Sequence, residues 1–210
     1  MVVIADRDRI DSSLEAREIV AREHLEFETV SGLLVTRTEG PIPALWVEAP
    51  IDARQSSAAT IAAIHDASAL AIIVHPFAHW QRSINRRMLE RLLANDDTAT
   101  HPDAIQLTSG SARASSGRQL ALELNATGFH LAEVCASNAV FTERVGSAYT
   151  IFRHALLPGS RAGEQGVAQR YTVRHLGWHR VAEQHSREAG FVSRRTFAPL
   201  LGRFASGGSR

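Results

Sequence analysis

Apolar and amphipathic segments alternate along residues 2–136, and this alternation predicts strands and helices in turn. Six short, mostly apolar runs are typical of buried strands: residues 2–5, 33–36, 42–47, 70–74, 104–107 and 131–136. Helices are predicted between them at residues 13–24, 57–67, 84–94 and 115–126. Such alternation favours a parallel α/β sheet or barrel. Functional side chains then belong at the carboxyl ends of the strands.

Three local patterns mark where these elements begin or turn. Ser12-Ser13-Leu14-Glu15 has the form of a capping box and predicts the start of the first helix. Ser56 or Ser57 is the expected N-cap of the second helix. The turn pair Gly40-Pro41 separates the second and third apolar runs, which therefore form a hairpin or two adjacent strands.

The pattern becomes helical from about Arg161 onward. Residues 173–189 are predicted to form a helix ended by Gly190, and the Ser/Gly/Arg tail at residues 205–210 is predicted to be disordered. We therefore expect an α/β domain at residues 1–152 followed by a mainly helical C-terminal extension at 153–210.

Charge changes along the chain in the same way. Residues 1–150 contain 13 Arg and 19 Asp or Glu, a formal charge of −6, whereas residues 151–210 contain 10 Arg and 3 Glu, a formal charge of +7. The C-terminal extension is therefore basic. Its arginines are spread along the segment and no recognised binding motif frames them, so we do not expect nucleic-acid binding.

Composition limits the class of protein further. With 210 residues and 44% hydrophobic content, the chain can bury the core of one domain. The single cysteine, Cys135, excludes an internal disulfide framework and a Cys-based zinc site, and we interpret it as a small core residue. No apolar stretch is long enough for a membrane span, and the N-terminus lacks the basic region of a signal peptide. A cytoplasmic protein without membrane attachment is expected.

Residues able to carry chemistry stand at the predicted strand ends. In chain order these sites are Asp6-Arg7-Asp8, Gly32-Leu33-Leu34, Gly40-Pro41, His75-Pro76-Phe77 and Ser137-Asn138-Ala139-Val140. Of the Asp6 and Asp8 carboxylates, we expect one to face solvent and the other to cap the next helix. Residues Ser109-Gly110-Ser111 precede a helix but lack the Gly-Lys-Ser/Thr of a phosphate-binding P-loop.

The order and spacing of these sites resemble PHP (polymerase and histidinol phosphatase) phosphoesterase domains. The family has Thr-Asp-His-Asp, Gly-x-Glu and Gly-His where this chain has Ala5-Asp6-Arg7-Asp8, Gly32-Leu33-Leu34 and Gly40-Pro41. His-Pro is retained as His75-Pro76, whereas Gly-Ser-Asp-Ala-His has become Ala136-Ser137-Asn138-Ala139-Val140. The resemblance runs from Val2 to about Phe152, and it is the order of the five sites that makes it specific.

The resemblance implies a distorted (β/α)7 barrel that holds two or three divalent metals at its carboxyl face and hydrolyses phosphoesters. Of the six ligand positions that correspond, only His75 keeps a metal ligand of the family, and the other five are Arg7, Leu34, Pro41, Asn138 and Val140. Leu, Pro and Val offer no lone pair to a metal. The Arg7 guanidinium would add a fixed positive charge, and such a charge about 4 Å from a divalent ion costs on the order of 8 kcal/mol at an effective dielectric constant of about 20. The resemblance thus predicts a degenerate metal site.

The family's first strand, with its His-x-His pair, has no counterpart in this chain. We therefore expect an incomplete barrel whose open edge is covered by a protein partner or by a second copy. A truncated gene product is a further interpretation of the same observation.

The leading functional hypothesis is a catalytically silent PHP-like domain without a cofactor. Its vestigial pocket, formed by Asp6, Arg7, His75 and Asn138, is expected to bind a phosphorylated small molecule or another anion.

The alternative hypothesis is a divergent but active phosphoesterase that uses Mn, Fe, Zn or Mg at Asp6, Asp8, His75 and His79. His175 and His179 have the i, i+4 spacing of a zinc pair, but no third ligand is evident beside them.

Overall fold

The computed structural model of the protein describes residues 1–37, 39–52, 56–78, 82–109, 117–141 and 144–150. The predictions made for His79, for His175 and His179, and for the C-terminal extension fall outside these residues.

Six strands and four helices occur within the described part of the chain. The strands are β1 (Val2–Arg7), β2 (Thr29–Val35), β3 (Ile42–Leu45), β4 (Leu70–Ile73), β5 (Ala104–Ser109) and β6 (Ala132–Ala136). The helices are α1 (Asp11–Arg22), α2 (Ser57–Asp66), α3 (Arg86–Leu93) and α4 (Arg118–Leu124). A 3-10 turn at Thr98–Thr100 precedes β5, and a π-helical turn at Asn125–Phe129 follows α4.

The strands form one curled, half-barrel sheet in the order β1-β2-β3-β4-β5-β6. β1 and β2 are parallel, as are β4 with β5 and β5 with β6. β3 runs antiparallel to both of its neighbours. This confirms the prediction of one predominantly parallel sheet, and it confirms the second and third runs as adjacent, antiparallel strands. The incomplete, distorted (β/α)7 barrel stays a prediction.

Each strand sends alternate residues to opposite faces of the sheet, so one strand contributes to two apolar layers. Ile73 and Ile105 lie in the main core with Ile61 and Ile64 of α2. α1 packs against β1 and β2, α2 against β3 and β4, and α4 against β5. On the other face of the sheet, Ile72, Val74 and Ala104 form a second apolar layer with Leu45, Ala132 and Val134.

The predicted capping box at the start of α1 was wrong. Ile10 is the N-cap residue of α1, and no side chain caps the helix. Ser13 is buried, and its Oγ accepts a hydrogen bond of 2.8 Å from the backbone N–H of Gly32 in β2. The Ser13 hydroxyl therefore joins α1 to β2 instead of capping the helix.

The N-cap of α2 was predicted correctly. Ser56 precedes α2 with extended backbone angles, and its Oγ accepts a hydrogen bond of 3.2 Å from the N–H of Ala59. This contact satisfies one of the donors that the first helical turn leaves unpaired.

Cys135 lies in β6, which is half-buried throughout rather than part of the main core. Thr150 Oγ1 accepts a hydrogen bond of 2.8 Å from the Cys135 N–H and donates one of 2.9 Å to the Cys135 carbonyl oxygen. Thr150 thereby satisfies two backbone groups of this strand. No helix in the described part of the chain is both long and apolar enough to cross a membrane.

Candidate functional site

The positions that the sequence analysis compared with the PHP motifs lie at one edge of the sheet. Arg7 ends β1 and is paired in register with Leu34, the next-to-last residue of β2. Pro41 directly precedes β3, whose first residue pairs with the last residue of β2. His75 and Asn138 follow the carboxyl ends of β4 and β6 by two residues. Strand direction therefore gathers positions that are far apart in sequence along this edge.

A polar cluster forms where β4, β5 and β6 end. Asn138 Nδ2 lies 3.3 Å from His75 Nδ1, although 63 positions separate the two residues. The same nitrogen also lies 3.0 Å from Ser109 Oγ and 3.5 Å from Gln106 Oε1, so its two hydrogens are shared among three acceptors. Gln106 Oε1 also accepts a hydrogen bond of 3.4 Å from the backbone N–H of His75. We call these four residues the strand-end cluster.

Gln106 was missed as a site residue by the sequence analysis. It stands within the predicted strand at residues 104–107, and it is only 3% exposed. A buried amide needs hydrogen-bond partners, and Gln106 has them in His75 and Asn138. A single glutamine inside an otherwise apolar strand could have indicated such a role. A β-bulge also interrupts the pairing of β5 with β6 just after Gln106.

Four residues at this edge have left-handed backbone angles: Asp8 (φ 52°), His75 (φ 47°), Phe77 (φ 63°) and Asn138 (φ 46°). Asp, Asn and His are the residues other than glycine that adopt this region most often, whereas it costs a residue such as Phe about 1–3 kcal/mol. The four residues lie in the turns that follow β1, β4 and β6.

The first strand contributes carboxylates that are occupied by backbone contacts. Asp6 Oδ1 accepts a hydrogen bond of 2.7 Å from the N–H of Arg7. Asp8 Oδ1 accepts one of 2.7 Å from the N–H of Thr36, just after β2. The expectation that one of the two carboxylates would cap α1 was therefore wrong, because Asp8 instead ties β1 to the loop after β2.

Arg7 and Val140 differ from the strand-end cluster in their surroundings. The Arg7 side chain is exposed, and no hydrogen bond within the described residues joins it to His75 or Asn138. Val140 is 87% exposed, so it provides no enclosing wall. The structure thus brings His75 and Asn138 into contact and places Arg7, with Leu34, further along the same edge. That these residues bind a ligand stays a prediction.

Arg37, just after β2, is a buried arginine that the sequence analysis did not single out. It is 5% exposed, and its Nε and Nη1 atoms have no hydrogen-bond partner among the described residues. Burial lowers the pKa of Arg37, while the carboxylates of Glu39, Asp52 and Asp8 act in the opposite direction. Arg37 is therefore a buried cation in the electrostatic field of three carboxylates.

His75 is in an environment that disfavours its charged form. Burial lowers the pKa of its imidazole, because removal from water penalises the imidazolium. Near neutral pH the ring is therefore neutral, with one nitrogen that donates and one that accepts a hydrogen bond.

The side chains at the corresponding family positions do not fit a divalent metal centre. Leu34, Pro41 and Val140 have no donor atom, and Arg7 carries a positive charge. Asn138 turns its amide nitrogen toward His75, so the nitrogen of the amide and not its oxygen meets the imidazole. Among the described residues, no group of three or more His, Cys, Asp and Glu side chains could hold a metal ion.

A shallow depression of about 490 Å³ lies at the opposite edge of the sheet. Its lining comes from the end of α3 and from the segments that precede β5 and β6: Glu90, Leu93, Ala94, His101, Gly128 and Phe129. None of the predicted site residues lines it, and it is remote from the strand-end cluster.

Comparison with known proteins finds similarity among solved structures. No family model matches the chain, and no curated protein matches it. A solved structure that is similar is that of a two-domain protein containing a predicted PHP-like metal-dependent phosphoesterase from Bacteroides vulgatus. The two share 12% sequence identity with a TM-score of 0.44, over 63% of this chain and 40% of the other. The chain thus spans less than half of the length of that protein. This similarity does not establish the family of the chain.

Proposed function

We propose that this chain is a PHP-like domain that has lost phosphoester hydrolysis and binds an anion, such as a phosphate group, at the carboxyl edge of its sheet. The observation that carries the proposal is the strand-end cluster. Within it, His75 and Asn138 occupy positions that the family uses for metal binding, yet their contact is an amide N–H directed at an imidazole nitrogen. Such a pair lacks the negative charge that a divalent cation needs.

Hydrogen-bond donors predominate over negative charges at the cluster. Gln106, Ser109 and Asn138 are uncharged, and within the described residues no carboxylate is hydrogen-bonded to the Gln106 or Asn138 side chain. Arg7 ends β1 at the same edge of the sheet, on the face opposite that of Ile4, which packs on α1. From this position its positive charge attracts an anion over some distance without having to touch it.

Titration calorimetry with inorganic phosphate tests this proposal. Wild-type protein is expected to bind phosphate, and His75→Gln is expected to weaken binding about tenfold or more, equivalent to about 1.4 kcal/mol. His101→Gln is the matched control, because His101 is at the opposite edge, where its imidazole Nε2 contacts the Asn95 carbonyl oxygen. Arg7→Gln should reduce the affinity most at low salt. Absence of phosphate binding, or equal binding by the His75 variant, would contradict the proposal.

The divergent, active phosphoesterase is the competing function, and a separate measurement distinguishes it. Elemental analysis of the purified protein should find no stoichiometric Mn, Fe or Zn, and hydrolysis of a chromogenic phosphodiester should not exceed that of the His75→Ala variant. Stoichiometric metal together with activity that His75→Ala abolishes would establish the competing function.

A further inference from the structure

The orientation of Gln106 follows from a contact with a backbone donor. The N–H of His75 is 3.4 Å from one end of the Gln106 amide. A backbone N–H can only donate a hydrogen bond, so the amide atom that faces it must be the oxygen, Oε1. Because Gln106 is 3% exposed, solvent offers little compensation for the reversed amide.

The orientation of Asn138 follows from that of Gln106. The two amides face each other through a complementary pair of contacts: Gln106 Nε2 donates to Asn138 Oδ1, and Asn138 Nδ2 donates to Gln106 Oε1, both at 3.5 Å. Reversal of Asn138 would place nitrogen opposite nitrogen and oxygen opposite oxygen. Both contacts are long, but they favour the same arrangement. The 3.0 Å contact with Ser109 accepts either orientation, because a hydroxyl both donates and accepts.

The proton on His75 follows from the orientation of Asn138. Asn138 Nδ2 lies 3.3 Å from His75 Nδ1, and an amide NH2 cannot accept a hydrogen bond. His75 Nδ1 must therefore carry the lone pair, so the proton of the neutral ring is on Nε2. Within the described residues, Nε2 makes no hydrogen bond of its own.

We propose that Gln106, acting through Asn138, holds His75 as the Nε2–H tautomer, so that the strand-end cluster offers a ligand a hydrogen-bond donor and not the lone pair that a metal ion requires. Gln106 is thus a positioning residue, and Asn138 determines which class of ligand His75 can meet. The ligand class that fits is one with an accepting oxygen, such as a phosphate or carboxylate anion. The choice of ligand rests on the function proposed above, whereas the tautomer does not.

Exchange of a single side-chain group reverses the arrangement. An aspartate at position 138 has oxygen at both ends of its side chain, so it can only accept from His75. The imidazole would then place its proton on Nδ1 and expose the lone pair of Nε2, as histidines oriented by a carboxylate do in metal sites. Asn138→Asp therefore tests the proposed mechanism with almost no change in shape.

Nitrogen NMR of protein labelled with 15N-histidine measures the tautomer directly. At about pH 8, where an unperturbed histidine is mostly neutral, wild-type His75 is expected to carry its proton on Nε2, and the Asn138→Asp variant on Nδ1. Ser109→Ala, which removes a neighbour of Asn138 without touching Gln106, should leave the wild-type tautomer unchanged. His75→Gln identifies the signals of His75 among those of the other histidines.

The outcomes separate this inference from the proposed function. A proton on Nδ1 in the wild type overturns the inference, and so does a proton on Nε2 in both the wild type and Asn138→Asp. The wild-type spectrum alone can decide against the proposal, so the test does not depend on how well the variant folds. Inorganic phosphate is added only afterwards: an Nε2–H tautomer without phosphate binding would uphold the inference and overturn the proposed function.

Discussion

The His65 imidazole joins α2 to the segments that precede β5, with Asp103 as its carboxylate partner. His65 Nε2 is 3.0 Å from Asp103 Oδ2, and His65 Nδ1 is 2.7 Å from the carbonyl oxygen of Ala99. Asp103 Oδ2 also accepts a hydrogen bond of 2.7 Å from the N–H of Ala71 in β4. Both partners of His65 are acceptors, so the ring satisfies them only when both nitrogens are protonated. The hydrogen bond to Asp103 accordingly raises the pKa of His65, although burial opposes it.

This relationship predicts that His65 stabilises the fold at mildly acidic pH. Because the folded pKa is raised, the stabilisation is fully present below the unfolded value of about 6.5 and is lost as pH rises through the folded pKa. His65→Gln should lower the free energy of unfolding by about 1–3 kcal/mol at pH near 6 and by less at pH near 8. Urea unfolding at several pH values measures this. His101→Gln is the control, and a pH-independent effect of His65→Gln would contradict the assignment.

Two adjacent serines in α1 should differ sharply in their contribution to stability. Ser13 Oγ accepts the hydrogen bond of the Gly32 N–H, whereas the neighbouring Ser12 Oγ is buried without a partner among the described residues. Ser13→Ala leaves a buried N–H unsatisfied and should cost about 1–3 kcal/mol, while Ser12→Ala should be neutral or stabilising. Chemical denaturation of the two variants compares them directly. Equal effects would show that the contact between α1 and β2 does not depend on the hydroxyl.

Gly117 lies against the backbone of the turn that carries His75. A Cβ atom at position 117 would overlap the Pro76 carbonyl oxygen and would be 2.6 Å from the Phe77 carbonyl carbon. Gly117→Ala should therefore displace this turn, destabilise the protein by about 1–3 kcal/mol and weaken phosphate binding. Gly128→Ala is the control, because a Cβ there meets nothing within 4 Å. Thermal melting and phosphate titration measure the two effects, and an unchanged Gly117→Ala protein would contradict the close approach.

Asn138→Asp should not generate phosphoesterase activity. The substitution adds one carboxylate beside His75, but a hydrolytic metal centre needs several donors at once, and Leu34, Pro41 and Val140 supply none. Hydrolysis of a chromogenic phosphodiester with added Mn²⁺ should therefore stay at the background of the His75→Ala protein. Hydrolysis clearly above that background would show that activity does not require metal ligands at positions 34, 41 and 140.

Much of the secondary structure could be predicted because its cause is local. The run at residues 70–74 is apolar throughout, the run at 104–107 is apolar except for Gln106, and both are strands of the sheet. Ser56 caps α2 as its position suggested, since the hydroxyl and the N–H it accepts from are three residues apart. Ser13, by contrast, lies inside α1, and the N–H that it accepts from is 19 positions away in the sequence.

The sequence by itself determined which segments are strands and which residues stand at their carboxyl ends, because side-chain alternation and turn residues act over a few positions. Only the tertiary structure decided that β3 runs antiparallel to its neighbours, that Gln106 is a buried partner of His75, and that Asn138 turns its nitrogen toward the imidazole. The two side-chain contacts join residues 31 and 63 positions apart in the sequence. The energy of such a contact depends on how strands pair and curl, and no local pattern of apolar and polar residues records it.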